Sequence, residues 1–330
     1  MNKNKYLLYG VAAVVTVIWL IFFPVFKEDF LKQFYYMPFL GIIAATVANT
    51  TPAAAGIVYF PILTRLSIDP LTAVQFNFII QAYGMGLGSF KWFLFNKKLF
   101  MIRVLPLCML GGTIGIVTSM VFVPIEKPEI LTLIFNVIGF VFTQVIFLSI
   151  LLRHSYPNLT IDLNPLNVVI LFIFSFVGGI ITGWIGFGID TIFYFLLTFG
   201  YRINPAMAIV TSISLMAGLS IVGTGLNFIF SSVPISLWYS AVPGVTFAGL
   251  FLAAYFAVRL GARNILILFA FLLTVDFMMA FWTQNTIPMS QTLKTIFTYV
   301  IVGYLFVIHV KIFKQSYGQV NKDLGSFQSD

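Results

Sequence analysis

Two short interruptions lie inside long apolar stretches of this chain, and their residue types suit the binding of an anion. The first reads ANTTPA at residues 48–53, and the second reads GWIGFG at residues 183–188. Thr50 or Thr51 is a suitable N-cap and Pro52 suits the first helical position, so a helix is predicted to begin there. A helix that begins in an apolar environment presents unpaired N–H groups and the positive end of its dipole, which attract an anion. The alternative is a proline kink satisfied by neighbouring threonines.

Polar side chains on the helices that follow the interruptions could complete such a site. Asn77 and Gln81 lie four residues apart and share one helix face, and Gln75 lies near the start of the same helix. Ser212, preceded by Thr211, is the counterpart of Asn77 in the second half of the chain. The alternative is that these side chains join one helix to another. The predicted substrate contacts are Asn49, Thr50, Thr51, Gln75, Asn77, Gln81, Gly183, Gly186, Gly188, Thr211 and Ser212.

Two acidic residues, Asp190 and Asp276, fall within apolar segments. An unpaired carboxylate at the centre of a membrane costs at least about 2.5 kcal/mol, so each acid is a functional candidate. Because burial favours the neutral form of a carboxyl group, both are candidates for carrying a proton. The alternative is a protonated acid that hydrogen-bonds to a neighbouring group.

Composition places these residues in a membrane protein. The chain has 330 residues, of which 60% are hydrophobic and only 8% are charged, whereas a soluble domain carries roughly 25% charged residues. The net charge of +8 is therefore interpreted as a topology signal, and no nucleic-acid partner is expected. Cys108 is the single cysteine, and the chain has no metal-binding or soluble-enzyme motif. No cofactor, metal or enzymatic activity is predicted.

The order of apolar segments repeats after a polar connection at 153–165. Asp69 and Pro70 align with Asn204 and Pro205, and the same offset aligns the two interruptions. This pattern indicates an internal duplication. Interrupted segments at matching places in two halves are the best sequence pointer to a transporter's binding site.

Basic residues near the segment ends decide between two topologies. If both interrupted segments cross the membrane, the basic residues divide almost evenly between its two sides. If both are re-entrant hairpins, most basic residues lie on the side of the termini, so the hairpin topology is preferred. Arg65, Lys91 and Arg202 lie near segment ends and are interpreted mainly as topology anchors, with attraction of anions at a vestibule as the alternative.

The predicted fold is therefore an all-α polytopic membrane protein of two inverted repeats, with one additional helix at each terminus and both termini cytoplasmic. Each repeat has a re-entrant hairpin and three transmembrane helices. The predicted domains are a terminal helix and loop at 1–36, a first repeat at 37–152 (hairpin 37–66, spans 70–95, 103–125 and 129–152), a connection at 153–165, a second repeat at 166–284 (hairpin 166–200, spans 204–230, 236–259 and 263–284), and a final helix and tail at 285–330.

The repeated pattern resembles the TauE/SafE family of anion permeases over roughly residues 37–284. The first copy has GIVYFPIL at 56–63, then Asp69-Pro70 and AVQFN at 73–77, and the second has GWIGFG, Asn204-Pro205 and AIVTS at 208–212. The first copy replaces the family's glycine cluster with NTTPAAA, and the second lacks its Pro-x-Leu. The resemblance implies transport of sulfite or organosulfonates such as sulfoacetate, often outward.

The expected function is a secondary carrier in the cell (inner) membrane that binds a small anion between the two hairpin tips. An anion channel is one alternative. An intramembrane aspartyl protease is another, but its Gly-x-Gly-Asp motif is broken here because Ile189 precedes Asp190, and Asp276 lacks the preceding tyrosine. The expected partners are the lipid bilayer and the anionic substrate. Assembly into a homo-oligomer is left open.

Overall fold

The structure is a computed structural model that describes residues 3–125, 127–151, 157–230, 233–253, scattered residues between 255 and 282, and 291–326. The chain forms two compact units. One comprises Met1–Phe135 and Ser155–Ile265, and the other comprises Asn136–His154 and Leu266–Asp330. The residues of the candidate site discussed below lie in the first unit, except Asp276, which lies outside the described residues.

All the secondary-structure elements named within the described residues are helices. Four of the helices continue into or border a short π-helical segment, at Phe30–Phe34, Thr118–Phe122, Leu196–Gly200 and Ala248–Leu252. The α-helices are α1 (Lys3–Asp29), α2 (Met37–Thr50), α3 (Gly56–Arg65), α4 (Pro70–Phe95), α5 (Leu105–Val117), α6 (Pro128–Leu151), α7 (Pro165–Ile185), α8 (Ile189–Phe195), α9 (Pro205–Phe230), α10 (Ile235–Phe247) and α11 (Gln291–Ser326).

Among the described residues, six helical stretches are long and apolar enough to cross a membrane, which needs roughly 20 apolar residues per helix. The prediction of an all-α polytopic membrane protein is therefore confirmed. The six stretches are Asn4–Phe34, Leu105–Phe122, Pro128–Leu148, Pro165–Ile185, Pro205–Ile229 and Ile235–Leu252.

The first interruption separates α2 from α3, and it differs from the prediction at its helix start. The chain leaves α2 at Thr51, whose backbone is extended (φ −132°, ψ 164°), because a residue that precedes proline disfavours the helical conformation. The new helix begins at Gly56, so Pro52 is not at its first position and neither threonine is its N-cap. The Thr50 and Thr51 hydroxyls instead donate to carbonyl groups of the last turns of α2.

The second interruption, between α7 and α8, reverses the direction of the chain. A Cβ atom built on Gly178 would lie 3.1 Å from the Cα atom of Ile189, although these residues are far apart along a straight helix. The two ends of the segment meet as well. The Asn158 N–H donates to the Arg202 carbonyl (3.3 Å), and the Asn204 N–H donates to the Asn158 carbonyl (3.1 Å). The segment from 158 to 204 thus returns to the end from which it started.

The helices of the two halves pack reciprocally. Helix α4 packs along α9, α5 packs along α7, and α10 packs along α2. These contacts bring backbones together at glycines, since a Cβ atom on Gly244 would overlap the Pro38 carbonyl and one on Gly115 would overlap the Phe176 carbonyl. Small residues at such crossings are typical of helix packing in membranes. The reciprocity is what a duplicated sequence would produce, and the inverted orientation of the halves stays a prediction.

Candidate functional site

The two interruptions meet in the interior of the first unit. The Thr191 hydroxyl donates to the Pro52 carbonyl (2.8 Å), which joins the second interruption directly to the first. The Gln81 side-chain amide donates to the Gly186 carbonyl (2.8 Å), which joins the second interruption to α4. We call this region the junction and define it as residues 51–56 and 186–191 together with Asn77 and Gln81.

Asn77 lies at the centre of the junction. A Cβ atom on Gly56 would lie 3.0 Å from Asn77 Nδ2, and one on Gly186 would lie 3.1 Å from Asn77 Cβ. Only glycines therefore allow both interruptions to approach this side chain so closely. Asn77 and Gln81 were predicted from their spacing, and the structure brings them together with both interruptions.

The junction contains buried polar atoms whose hydrogen-bonding capacity is unused. Among the described residues, Asn77 Nδ2 and Oδ1 and Gln81 Oε1 have no hydrogen-bond partner. The same holds for Asn49 Oδ1, and for the hydroxyl of Tyr59 one turn into α3. Each such atom costs roughly 1–3 kcal/mol when it is left unpaired. The three atoms on Asn77 and Gln81 lie in the junction, whereas those on Asn49 and Tyr59 lie outside it, so the junction is a candidate position for a polar ligand.

Sequence reasoning missed Tyr59 and Thr191. Tyr59 follows Gly56 by three residues on α3, so the shared helix face could have indicated it once Gly56 was assigned to the start of that helix. Thr191 had no comparable signal, because its partner Pro52 lies in the other half of the chain.

Asp190 occupies the second interruption itself. Its side chain is fully buried, and its Oδ1 atom accepts the Gly188 N–H (3.3 Å), while the Ile189 N–H donates to the Thr182 hydroxyl (2.9 Å). The first amides of α8 are thus directed at groups of the protein, contrary to the expectation that they are free for an anion. Asp190 Oδ2 has no hydrogen-bond partner among the described residues.

The predicted glycines of the second interruption have different positions. Gly186 (φ +76°) ends α7 in the left-handed conformation, and Gly188 (φ +134°) adopts a conformation that other residues rarely reach. Both lie in the junction. Gly183 lies one turn earlier, where a Cβ atom would overlap the Ser119 hydroxyl, so it provides close contact between α7 and the segment after α5.

Other predicted residues are not brought to the junction by any contact in the described structure. The Thr211 hydroxyl accepts the Met101 N–H (3.2 Å), and the Ser212 hydroxyl donates to the Ile209 carbonyl of its own helix (3.0 Å). The Thr50 hydroxyl donates to the Thr46 carbonyl (2.7 Å). The carbonyl of Gln75 accepts from Asn227 (3.3 Å). The substrate contacts predicted for these four residues stay predictions, as does that of Thr51, which lies in the junction and is buried beside Pro52.

A closed crevice adjoins the junction between α2, α3, α4 and α10. It leaves no room for a water molecule, so a substrate could enter the crevice only if these helices separated. The crevice is lined in part by Asn49, Ala55, Tyr59, Gln81, Gly84 and Val245.

Comparison with known families places these features in a broader context. The family model described as "Sulfite exporter TauE/SafE" matches residues 37–279, which is most of the chain and includes the whole junction. The chain belongs to the TauE/SafE family. It is therefore a membrane transporter. No curated protein and no solved structure matched the chain. Among the described residues of this TauE/SafE protein, no group of three or more His, Cys, Asp or Glu side chains could hold a metal ion.

Proposed function

We propose that this protein is a secondary carrier for a small anion, namely sulfite or an organosulfonate, and that the anion binds at the junction. The observation that carries the proposal is the group of buried, unpartnered polar atoms on Asn77, Gln81 and Tyr59 beside the start of α3. Membership of the TauE/SafE family supports the substrate class.

The chemistry of these groups suits an oxyanion. Asn77 Nδ2 and the Tyr59 hydroxyl supply neutral hydrogen-bond donors. Helix α3 has ten residues, and its N-terminus carries a partial positive charge of about half an elementary charge, although the Ile57, Val58 and Tyr59 N–H groups there already donate to the Ala54 and Ala55 carbonyls. A sulfite or sulfonate group has three oxygens that accept hydrogen bonds in different directions. Hydrogen-bond donors on separate side chains suit such a group better than they suit a planar carboxylate with two oxygens.

The closed crevice favours a carrier over a channel. A conducting channel needs a continuous aqueous path, whereas a carrier exposes its site to one side at a time. We propose that α2 and α3 move against α10 to open the junction. The hairpin topology, in the cell membrane with both termini cytoplasmic, is part of this proposal. It is supported by the hydrogen bonds between Asn158 and the 202–204 segment, which return the second interrupted segment to its starting side.

Asp190 is proposed to couple anion movement to a proton. An ionised carboxylate at the junction would repel a bound anion, whereas the neutral acid would not and could donate a hydrogen bond through Oδ2. Anion and proton would then occupy the junction together. Asp276 was predicted for the same role but lies outside the described residues.

The test uses purified protein reconstituted into liposomes, with fluxes of sulfite, sulfate, sulfoacetate, taurine and acetate measured under an imposed pH gradient. We expect sulfite or sulfoacetate to be transported, the flux to respond to the gradient, and Asn77→Ala to reduce the flux. Asp190→Asn is expected to transport without responding to the gradient. Asn167→Ala is the control, since this half-buried residue lies at the start of α7, far from the junction in sequence.

Three outcomes contradict the proposal. The absence of flux for every anion overturns the carrier function. Single-channel currents in planar bilayers overturn the carrier in favour of a channel. A wild-type response to the pH gradient in Asp190→Asn overturns the coupling role while leaving the carrier intact.

A further inference from the structure

One face of α4 carries a stripe of polar and small residues that leads away from the junction. Asn77, Gln81, Gly84, Gly88 and Lys91 are spaced four, three, four and three residues apart, which keeps them on a single helix face. The stripe covers roughly 21 Å along the helix at about 1.5 Å per residue. It begins at Asn77 in the junction and ends near the last turn of α4, the predicted cytoplasmic end.

The stripe faces polar groups of two other elements. Asn49 of α2 lies over it, with Nδ2 at 3.5 Å from the Gly84 carbonyl, and a Cβ atom on Gly88 would overlap Asn49 Oδ1. The Gly84 carbonyl lies 3.2 Å from where a Cβ atom of Gly249 would be. Asn49 Oδ1 is buried and has no hydrogen-bond partner among the described residues. The stripe is thus lined by polar groups beyond the junction.

The stripe ends at Lys91, whose side chain lies inside the protein. Only 4% of the residue is exposed, and its ammonium group turns inward to donate to the Gly249 carbonyl (3.0 Å). Within the described part of the chain, the one ion pair joins Lys32 to Glu28, and no carboxylate lies within ion-pair distance of Lys91. The ammonium can donate three hydrogen bonds, of which one goes to Gly249, and it also lies 5.2 Å from the centroid of the Trp92 ring.

This arrangement differs from that of a topology anchor. Anchoring lysines extend their ammonium groups outward to water and headgroups, whereas Lys91 is covered and contacts a main-chain carbonyl. That carbonyl belongs to the π-helical segment Ala248–Leu252, and such segments are frequent at functional sites. A buried cation without an acidic partner among the described residues is a functional candidate.

We propose that Lys91 forms an anion subsite at the cytoplasmic end of a conduit along this face of α4, where the transported anion binds before it reaches the junction. The inference rests on the proposed function and adds a second binding position to it. The conduit is closed in this structure by Asn49 and the Ala248–Leu252 segment, so these groups must separate from α4 during transport.

The first experiment compares Lys91→Met, Lys91→Arg and Lys97→Met in liposomes. Lys97 is the control because it is an exposed cation just beyond the same helix, with its ammonium 4.5 Å from the centroid of the Phe93 ring. We expect Lys91→Met to raise the apparent Michaelis constant for sulfite about tenfold or more, the scale of a lost hydrogen bond to a charged group. Lys97→Met is expected to stay within about twofold of wild type, because surface substitutions usually have small effects. Lys91→Arg keeps the charge and is expected to retain a lower apparent Michaelis constant than Lys91→Met.

A second experiment keeps the test valid if Lys91→Met folds poorly. Cys108 is the single cysteine and is buried, so Cys108→Ala provides a background for Lys91→Cys. Modification with 2-aminoethyl methanethiosulfonate returns a positive charge to the position, whereas methyl methanethiosulfonate adds a neutral group. We expect the first reagent to restore sulfite flux and the second not to restore it.

The outcomes separate the two proposals. Unchanged kinetics in Lys91→Met overturns the subsite, and so does restoration of sulfite flux by both reagents or by neither. In each of these cases, transport by the wild type still supports the proposed function. Absence of sulfite and sulfonate flux in the wild type overturns the proposed function and the subsite with it.

Discussion

The two interruptions occupy matching places in the two halves, yet they break their helices by different means. The first uses Pro52, which forces Thr51 out of the helical conformation, and none of its residues has a positive φ. The second uses Gly186 and Gly188, whose positive φ angles reverse the chain within three residues. A duplicated fold thus needs a break at this place, but it does not require one particular chemistry for the break.

The difference also extends to what each interruption offers to a ligand. The second directs its own amides at Asp190 and Thr182, so it presents a carboxyl group to the junction. The first precedes a ten-residue helix whose start lies beside the unpartnered atoms of Asn77 and Tyr59. We infer that the first interruption contributes most to anion binding and that the second contributes the proton-carrying group.

The largest effect is expected from a substitution of Gly188, which has the less common backbone conformation of the two glycines. Gly188→Ala places a side chain at φ +134°, at a cost of about 1–3 kcal/mol, and we expect a lower thermal midpoint and loss of transport. The reciprocal control in the first interruption is Ala54→Gly, for which we expect a cost of at most about 1 kcal/mol. Tryptophan fluorescence of the detergent-solubilised protein during heating measures both. Equal changes in the thermal midpoint for Gly188→Ala and Ala54→Gly would show that the two interruptions do not differ in their backbone requirements.

A smaller effect is expected from Gly88→Ala, which tests the first interruption through Asn49. The added methyl group would overlap Asn49 Oδ1 and displace the amide at the end of α2. We expect sulfite flux to fall roughly tenfold, equivalent to about 1.4 kcal/mol, with the fold retained. Gly86→Ala is the matched control on the same helix, because no atom lies within 4 Å of its Cβ position. Similar flux in the two variants would exclude a role for the Asn49 position.

The smallest effect is expected from Thr191→Val, which removes the direct hydrogen bond between the interruptions. The Pro52 carbonyl would lose its donor, and we expect a stability loss of about 1 kcal/mol, measured as a shift in the thermal midpoint. Thr198→Val is the control, since that buried hydroxyl donates to the Tyr194 carbonyl within its own segment. A larger stability loss from Thr198→Val than from Thr191→Val would mean that the hydrogen bond between the interruptions adds no special stability.

Sequence patterns predicted the existence of both interruptions more accurately than their boundaries. Thr50, Thr51 and Pro52 were assigned to the start of a helix, but they end one, and α3 begins at Gly56. The residues before Gly56 are alanines without a capping side chain, so no local signal marks that start. Tertiary contacts with Asn77 and Gln81 supply the missing information.

The sequence by itself determined the class of the protein, the family, the broken helices and the shared face of Asn77 and Gln81. These features follow from composition and from helical periodicity, which are local properties of the chain. Only the tertiary structure decided which surfaces meet. It joined Thr191 to Pro52, enclosed Lys91 against Gly249, and engaged the Thr211 hydroxyl with Met101. Periodicity assigns a residue to a helix face, but the neighbour that covers the face is set by packing between segments distant in the chain.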